Sequence, residues 1–302
     1  MSGEHSLDFS TLGYLRVAAV APVVEIGQPL ANLQHIRSCL APLATQQVSV
    51  AVFPELCLSG YSAEDLFFTE PLLRGCVEAL HALCADNPLP LLLVGCPWQL
   101  ADGRLLNCAV AISGGRVLGM VPKSVQPNYG EFYDLRWFVP GANINEVIQH
   151  PDLGQFALRV DQLFELGGTR LGIEICEDLW APQPPGVQAA LAGADIVANL
   201  SASNELIAKV DYRRDLVRMA SAKNICGYVY AGASATESSK DVVYGGHCMI
   251  YESGQQLAES DRFSLQGTQI VADLDIHRLR HDRAQNISFA SSPRPTPYRC
   301  QT

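Results

Sequence analysis

Residues 15–55 read LRVAAVAPVVEIGQPLANLQHIRSCLAPLATQQVSVAVFPE, and they set the pattern that the rest of the chain repeats. Leu15 to Pro22 is a short apolar run closed by proline, as a buried strand would be. From Pro29 to Thr45, Leu30, Leu33, Ile36, Leu40 and Leu43 recur at helical spacing behind a proline suited to a first turn. Val48 to Phe53 is a second, β-branched strand, ending at Pro54-Glu55. Strand, helix and strand form a β-α-β unit, which places the chain in the α/β class.

Working outward, Thr69 is suited to cap a second helix that carries Leu72, Leu73, Cys76, Leu80 and Leu83 on one face and stops at Asn87-Pro88. Leu91 to Val94 reads as a strand, and Leu106 to Ile112, Ser113-Gly114-Gly115 and Arg116 to Val121 as a hairpin. Crossovers alternate with hairpins, so the sheet is expected to be mixed. The second half continues with strands at Phe156 to Phe164, Arg170 to Ile175 and Asp195 to Leu200, and helices near Gly186 to Ala192 and Tyr212 to Asn224. Strands at Gly227 to Ala231, Gly246 to Tyr251 and Gln269 to Asp275 complete it, with a Glu252-Ser253-Gly254 turn between two of them. The economical division is an N-terminal tail at 1–13, one domain at 14–285, and a loose Ser/Pro-rich tail or start of a linker at 286–302.

Composition narrows the function. Apolar residues make up 48% of the 302, enough for a large core. The net charge of -10 and scattered Lys and Arg residues argue against nucleic acid. The polar N-terminus lacks a signal-peptide pattern, and no apolar run approaches the roughly 20 residues that span a bilayer. A cytoplasmic protein without membrane contact is expected. The ten cysteines form no Cys-x-x-Cys pair and have no histidines at metal-ligand spacing, so reduced, mostly buried thiols and no metal site are expected.

Three polar residues stand where apolar strands end: Glu55 after VSVAVFP, Lys123 after RVLGMVP, and Cys176 after RLGIEI. In open α/β sheets the crevice beyond strand ends is the usual ligand site. A thiol is mostly protonated at neutral pH and needs a base or a nearby cation to become a nucleophile. Lys123 supplies a positive charge for that and for the oxyanion of a tetrahedral amide intermediate. Glu55 suits the proton transfers: from the thiol, to departing ammonia, and from the water that later attacks the thioester. Taken singly, a core cysteine, a capping glutamate and a solvated lysine are the blander readings, and their joint placement reverses the balance.

The blocks around these residues carry a resemblance. PELCLSGYSAEDLF (54–67), KSVQPNYGEFYDLRWF (123–138), GIEICEDLW (172–180) and ANLSASN (198–204) resemble, in order and spacing, the amidase domain of glutamine-dependent NAD synthetases, a branch of the nitrilase superfamily. The resemblance spans roughly residues 14 to 290. It implies an αββα sandwich, two mixed sheets between helical layers, and makes Glu55, Lys123 and Cys176 the Glu-Lys-Cys catalytic triad. It further implies glutamine as substrate, no cofactor for the amidase step, and a homo-oligomer. The implied partner is an ATP-dependent, Mg-using NAD synthetase module, which consumes the ammonia. Tyr129, Glu177, Ser203 and Lys209 match positions that line the glutamine pocket in that family. These residue types suit a zwitterion: acceptors and a carboxylate for its ammonium, a hydroxyl and a cation for its carboxylate.

Departures from the family pattern accompany the match. Asp134 stands where relatives carry a second glutamate in the loop after the lysine, and its shorter arm is expected to give it a supporting role. Lys209 stands where relatives often have arginine, and a lysine cannot grip a carboxylate with a bidentate fork. The Ser-Gly-Gly-x-Asp-Ser loop of the synthetase module is absent from the sequence, so the expectation is either a fragment or a protein that works with a separate synthetase. Two rivals remain: a free-standing amidase acting on another small amide or carbamoyl compound, and a non-catalytic module on the same scaffold. His247 is read as structural, Arg213-Arg214 as a solvated helical face, and Trp98, Trp137 and Trp180 as packing or pocket-bordering residues.

Overall fold

In the computed structural model, which describes residues 12–295 and 298–302, the opening unit forms as β1 (Tyr14–Ala21), α1 (Pro29–Thr45) and β2 (Val50–Val52). β1 shows how one strand serves two cores. Val17, Ala19 and Ala21 face one apolar layer, and Ala18 and Val20 face another that holds Leu33, Ile36, Leu40 and Leu43 of α1. Alternation at period two thus buries both faces of the strand. Leu30, expected on the buried stripe of α1, is exposed. The expected tail at 1–13 lies outside the described residues except for its last two positions.

The chain continues through α2 (Glu70–Asp86), β3 (Leu91–Gln99), β4 (Leu105–Ser113), β5 (Arg116–Pro122), β6 (Asn145–His150), β7 (Gly154–Arg159), β8 (Gln162–Leu166) and β9 (Thr169–Ile175). It then forms α3 (Glu177–Trp180), α4 (Pro185–Leu191), β10 (Ile196–Ser201), α5 (Lys209–Asn224), β11 (Gly227–Gly232), β12 (Cys248–Glu252) and β13 (Gln255–Glu259). β14 (Thr268–Asp275), α6 (Ile276–Gln285), α7 (Ile287–Ala290) and β15 (Arg299–Gln301) complete it. Among the described residues the strands form two mixed sheets, ordered β14-β1-β2-β3-β4-β5-β7-β6 and β13-β12-β11-β10-β9-β8-β15. The sheets face each other through Val17, Val50, Val52 and Leu93 from the first, and Ile173, Ile196, Leu200 and Val229 from the second. Helices α1 and α2 cover the outer face of the first sheet, and α5 that of the second through Val217 against Tyr228, Tyr230 and Met249. The expected αββα sandwich is what forms.

Several local expectations change. Thr69 holds the N-cap position of α2, but its hydroxyl donates back to the Leu66 carbonyl rather than capping the helix. The single strand read over Phe156 to Phe164 is two strands in different sheets, β7 and β8, broken at Val160-Asp161 where Arg159 closes onto Asp161. The polar residues Arg159, Asp161 and Gln162 mark the break in the sequence FALRVDQLF, but do not show that the chain crosses between sheets there. The turn at Glu252-Ser253-Gly254 leads into β13, a strand the polar sequence QQLAE conceals. α5 begins at Lys209, three residues before the expected start. Among the described residues of the C-terminal stretch, Ile287–Ala290 form α7 and Arg299–Gln301 the edge strand β15, which pairs in parallel with β8.

Candidate active site

Of the three residues singled out from strand ends, Glu55 and Lys123 are in contact, and the charges of both act on the Cys176 thiol across the two sheets. Glu55 lies in a turn just beyond β2, Lys123 directly follows β5, and both belong to the first sheet. Cys176 directly follows β9 of the second. Two close approaches set the first pair. Gly95 on β3 lies so near the Glu55 turn that a Cβ would sit 2.1 Å from the Leu56 nitrogen, and Leu56 itself is left-handed at φ 51. Gly141 donates its amide to the Lys123 carbonyl at 2.7 Å, where a Cβ would also collide. Only glycine allows backbones this near.

Cys176 occupies a turn between β9 and α3 with φ 44 and ψ -100, a conformation few side-chain-bearing residues adopt. Its amide donates to the Leu200 carbonyl at 3.0 Å, so β10 pins the turn. Such a geometry lifts the thiol out of the strand and holds it facing the cleft.

The buried charges are arranged around Lys123. Its Nζ donates to Glu55 Oε1 at 2.6 Å and to Asp134 Oδ2 at 3.0 Å, all three groups being almost wholly shielded from solvent. Asn107 Nδ2 donates to the same Glu55 oxygen at 2.6 Å, which leaves Glu55 Oε2 buried with no partner among the described residues. Tyr61 donates to the other Asp134 oxygen at 2.6 Å. The shorter aspartate arm thus reaches the lysine.

Burial works against charge on Lys123, but Asp134 and Glu55 outweigh it and keep the ammonium protonated well above the usual lysine range. The Glu55 pKa is raised as well, here by burial, although Lys123 pulls it down, and the Asp134 charge adds to the rise. Burial and then the Glu55 charge push the Cys176 thiol up to about 12, against Lys123, the Ser201 hydroxyl and the Ala202 backbone. The thiol is thus protonated at rest under the influence of the Glu55 charge, and a nucleophilic role would need a base to remove its proton.

A cavity of about 410 Å³ opens over Cys176. The four expected pocket residues, Tyr129, Glu177, Ser203 and Lys209, all line it, together with Phe132 and Trp180. Tyr129 donates to the Glu177 carboxylate, 2.9 and 3.0 Å from its two oxygens. Ser203 Oγ is buried and makes no hydrogen bond within the usual distance limits among the described residues. Lys209 Nζ lies 5.1 Å from the Trp180 ring centre and 5.7 Å from that of Phe132, and bonds the Asn204 side chain, which in turn bonds Glu131. Burial lowers the Lys209 pKa. The wall therefore offers an anion, a cation and a hydroxyl, with aromatic faces between.

Sequence reading missed Asn107, Tyr61, Glu131 and Asn204. Asn107 had a signal: a lone amide inside the apolar run LLNCAVAI, which a buried strand tolerates only when a partner waits. Arg213, expected on a solvated face, is fully buried; it bonds Glu205 at 2.7 Å, the Asn204 carbonyl at 2.7 Å and His247 Nδ1 at 3.1 Å. His247 is a structural link from Arg213 to Glu259, its pKa brought down to about 4 by burial. Trp98 packs in the core and Trp180 borders the cavity. Among the described residues no cluster of His, Cys, Asp and Glu is spaced to hold a metal, and no helix is long and apolar enough to cross a membrane.

Comparison with known proteins gives one consistent answer. The carbon-nitrogen hydrolase family model matches residues 16–284. The glutamine-dependent NAD(+) synthetase of Mycobacterium tuberculosis is 41% identical over 287 residues, 93% of this chain and 42% of the relative. The human protein of the same name is 29% identical over 280 residues, 88% of this chain and 39% of the relative. This chain therefore spans about two fifths of the length of the curated relatives it matches. Among solved structures, a glutamine-dependent NAD(+) synthetase from Cytophaga hutchinsonii superposes with a TM-score of 0.78 at 28% identity, over 86% of this chain and 43% of that one. An amidase of the nitrilase superfamily from Nesterenkonia AN1 shares the fold with a TM-score of 0.70 at 20% identity, over 90% and 95% of the two chains.

Proposed function

The chain belongs to the carbon-nitrogen hydrolase family, and from that premise we propose that it is a glutaminase whose Cys176 forms a thioester with the side-chain acyl group of glutamine and releases ammonia for NAD synthesis. The observation that carries the reading is the junction of two features: the buried Glu55–Lys123–Asp134 cluster beside Cys176, and a cavity over that sulfur lined by Glu177 and Lys209. A neutral amide needs only the first. An amino acid with charged ends has use for the second.

In the proposed cycle, glutamine enters with its ammonium toward Glu177 and Tyr129 and its carboxylate toward Lys209 and Ser203. Glu55 Oε2 takes the thiol proton as Sγ attacks the amide carbon, and Lys123 faces the negative oxygen that forms. Collapse breaks the C–N bond, and Glu55 returns the proton to the departing nitrogen, giving ammonia and a thioester. Water, deprotonated by Glu55, then attacks the thioester; glutamate leaves and the thiol regains its proton. Asp134, held by Tyr61, balances the Lys123 charge throughout. No cofactor enters this cycle. ATP and magnesium belong to the synthetase module that takes up the ammonia, a partner domain or protein working with this chain in the cytoplasm as part of a homo-oligomer.

The test is glutamate release from millimolar glutamine by the chain alone and with an ATP-dependent NAD synthetase domain added, followed by mass analysis of the Cys176 peptide. Hydrolysis that rises with the partner, with a glutamyl adduct on Cys176, is expected. Faster turnover of an amide lacking the α-amino-acid head group would replace glutamine as the substrate. No adduct on folded protein would end the enzymatic reading.

A further inference from the structure

Asp178 is a buried carboxylate that the proposed cycle leaves unused. It lies on α3, two residues beyond Cys176, and it spans a junction. Oδ1 accepts the backbone amides of Ser124 at 3.1 Å and Val125 at 2.8 Å, and Oδ2 accepts that of Ile175 at 2.9 Å. Ser124 and Val125 are the residues immediately after Lys123, and Ile175 immediately precedes Cys176. One side chain thus staples the strand end that carries the ammonium to the strand end that carries the sulfur, across the gap between the two sheets.

The partners separate this from ordinary fold support. Asp195, another buried aspartate, accepts the Arg170 amide and pairs with the guanidinium of Arg280, with neither the lysine nor the cysteine segment involved. Asp178 has no cationic partner among the described residues; its contacts are amides on either side of the reacting pair. A carboxylate accepting several amides is a directional clamp, since each N–H must point at an oxygen. Lys123 is otherwise held by its own backbone bonds, to the Asn107 carbonyl at 2.8 Å and from the Gly141 amide at 2.7 Å, both within its own half of the sandwich. Those bonds set Lys123 relative to the first sheet. None of them sets it relative to Cys176.

We propose that Asp178 is a positioning residue that fixes Lys123 against Cys176, and so sets the reactivity of the thiol without touching substrate. The proposal rests on Glu55, Lys123 and Cys176 being the reacting trio. An asparagine keeps the size of the side chain, but its nitrogen cannot accept a hydrogen bond, so Asp178→Asn releases at least one side of the staple.

The experiment follows alkylation of Cys176 by iodoacetamide near neutral pH, read on the Cys176 peptide by mass, in the wild-type chain, Asp178→Asn, Asp178→Glu and Lys123→Ala. This readout needs no glutamine. Asp178→Asn is expected to slow alkylation about tenfold, as Lys123→Ala does, because the cation no longer faces the sulfur. With glutamine, kcat should fall by about tenfold or more while KM stays within about threefold. Asp178→Glu, which keeps the carboxylate one methylene further out, should recover part of both and serves if the asparagine variant does not fold. A role confined to stability moves the readout the other way, since loosening the fold exposes a buried thiol and speeds its alkylation. Wild-type alkylation and kcat in Asp178→Asn, or faster alkylation, overturns the proposal while slow alkylation in Lys123→Ala leaves the trio standing. Wild-type alkylation in Lys123→Ala overturns both.

Discussion

Glu55 has one oxygen occupied by Lys123 and Asn107 and the other without a partner among the described residues, and its conversion to glutamine tests that asymmetry directly. Glu55→Gln keeps the shape and removes the base, so glutamine binding should persist while kcat drops by about three orders of magnitude or more. Cys176→Ala should leave no acyl adduct by mass spectrometry. The pH dependence has a defined sign. The base must be ionised to work, and burial raises the Glu55 pKa, so activity should fall on acidification at a pH above the usual glutamate range. A profile whose acid limb lies below that range would argue for another base. At this scale Glu55, Lys123 and Cys176 stood out as candidates because each follows the end of an apolar run. The contact of Asp134 with Lys123 was not legible, because side-chain length alone does not say how far the loop carries the backbone toward the lysine.

At the scale of elements, the site depends on how closely strands and turns approach. Gly95→Ala would press a methyl into the backbone at Leu56, costing at least about 1–3 kcal/mol and displacing the turn that carries Glu55. Thermal unfolding should shift down, and turnover should fall by more than the unfolded fraction explains. Arg213 is the second such point. It closes the start of α5 onto Glu205 and the Asn204 carbonyl, behind the segment that carries Ser203 and Lys209. Arg213→Met should cost about 3 kcal/mol because it strands a buried carboxylate partner, with Arg262 softening the loss; denaturant unfolding measures it. Strands and helices with strong periodicity, such as α1, were readable in advance, whereas β6 and β13 were not. Both are partly exposed edge strands, and their polar sequences carry no alternation strong enough to mark them.

For the whole molecule, the described C-terminal stretch is part of the fold. Removing residues 299–302 takes away β15 and uncovers the β8 edge, yet the cavity residues belong to other segments. Thermal stability should therefore fall by a few degrees, about 1–2 kcal/mol, with turnover per folded molecule unchanged; calorimetry and the glutamine assay read the two separately. Loss of turnover beyond unfolding would mean that the second sheet transmits strain from its edge to β9. Sequence alone determined the α/β grammar, the positions at strand ends where chemistry could sit, and the residue types that suit a zwitterion, because hydrophobic period and strand-end polarity are local properties of the chain. Only the tertiary structure decided that the run at 156–164 crosses between sheets, that Arg213 is buried, and that Asp178 ties the lysine segment to the cysteine turn. Those outcomes depend on which distant backbone amides and carboxylates the packing of two sheets brings within hydrogen-bond distance, and no local pattern encodes that distance.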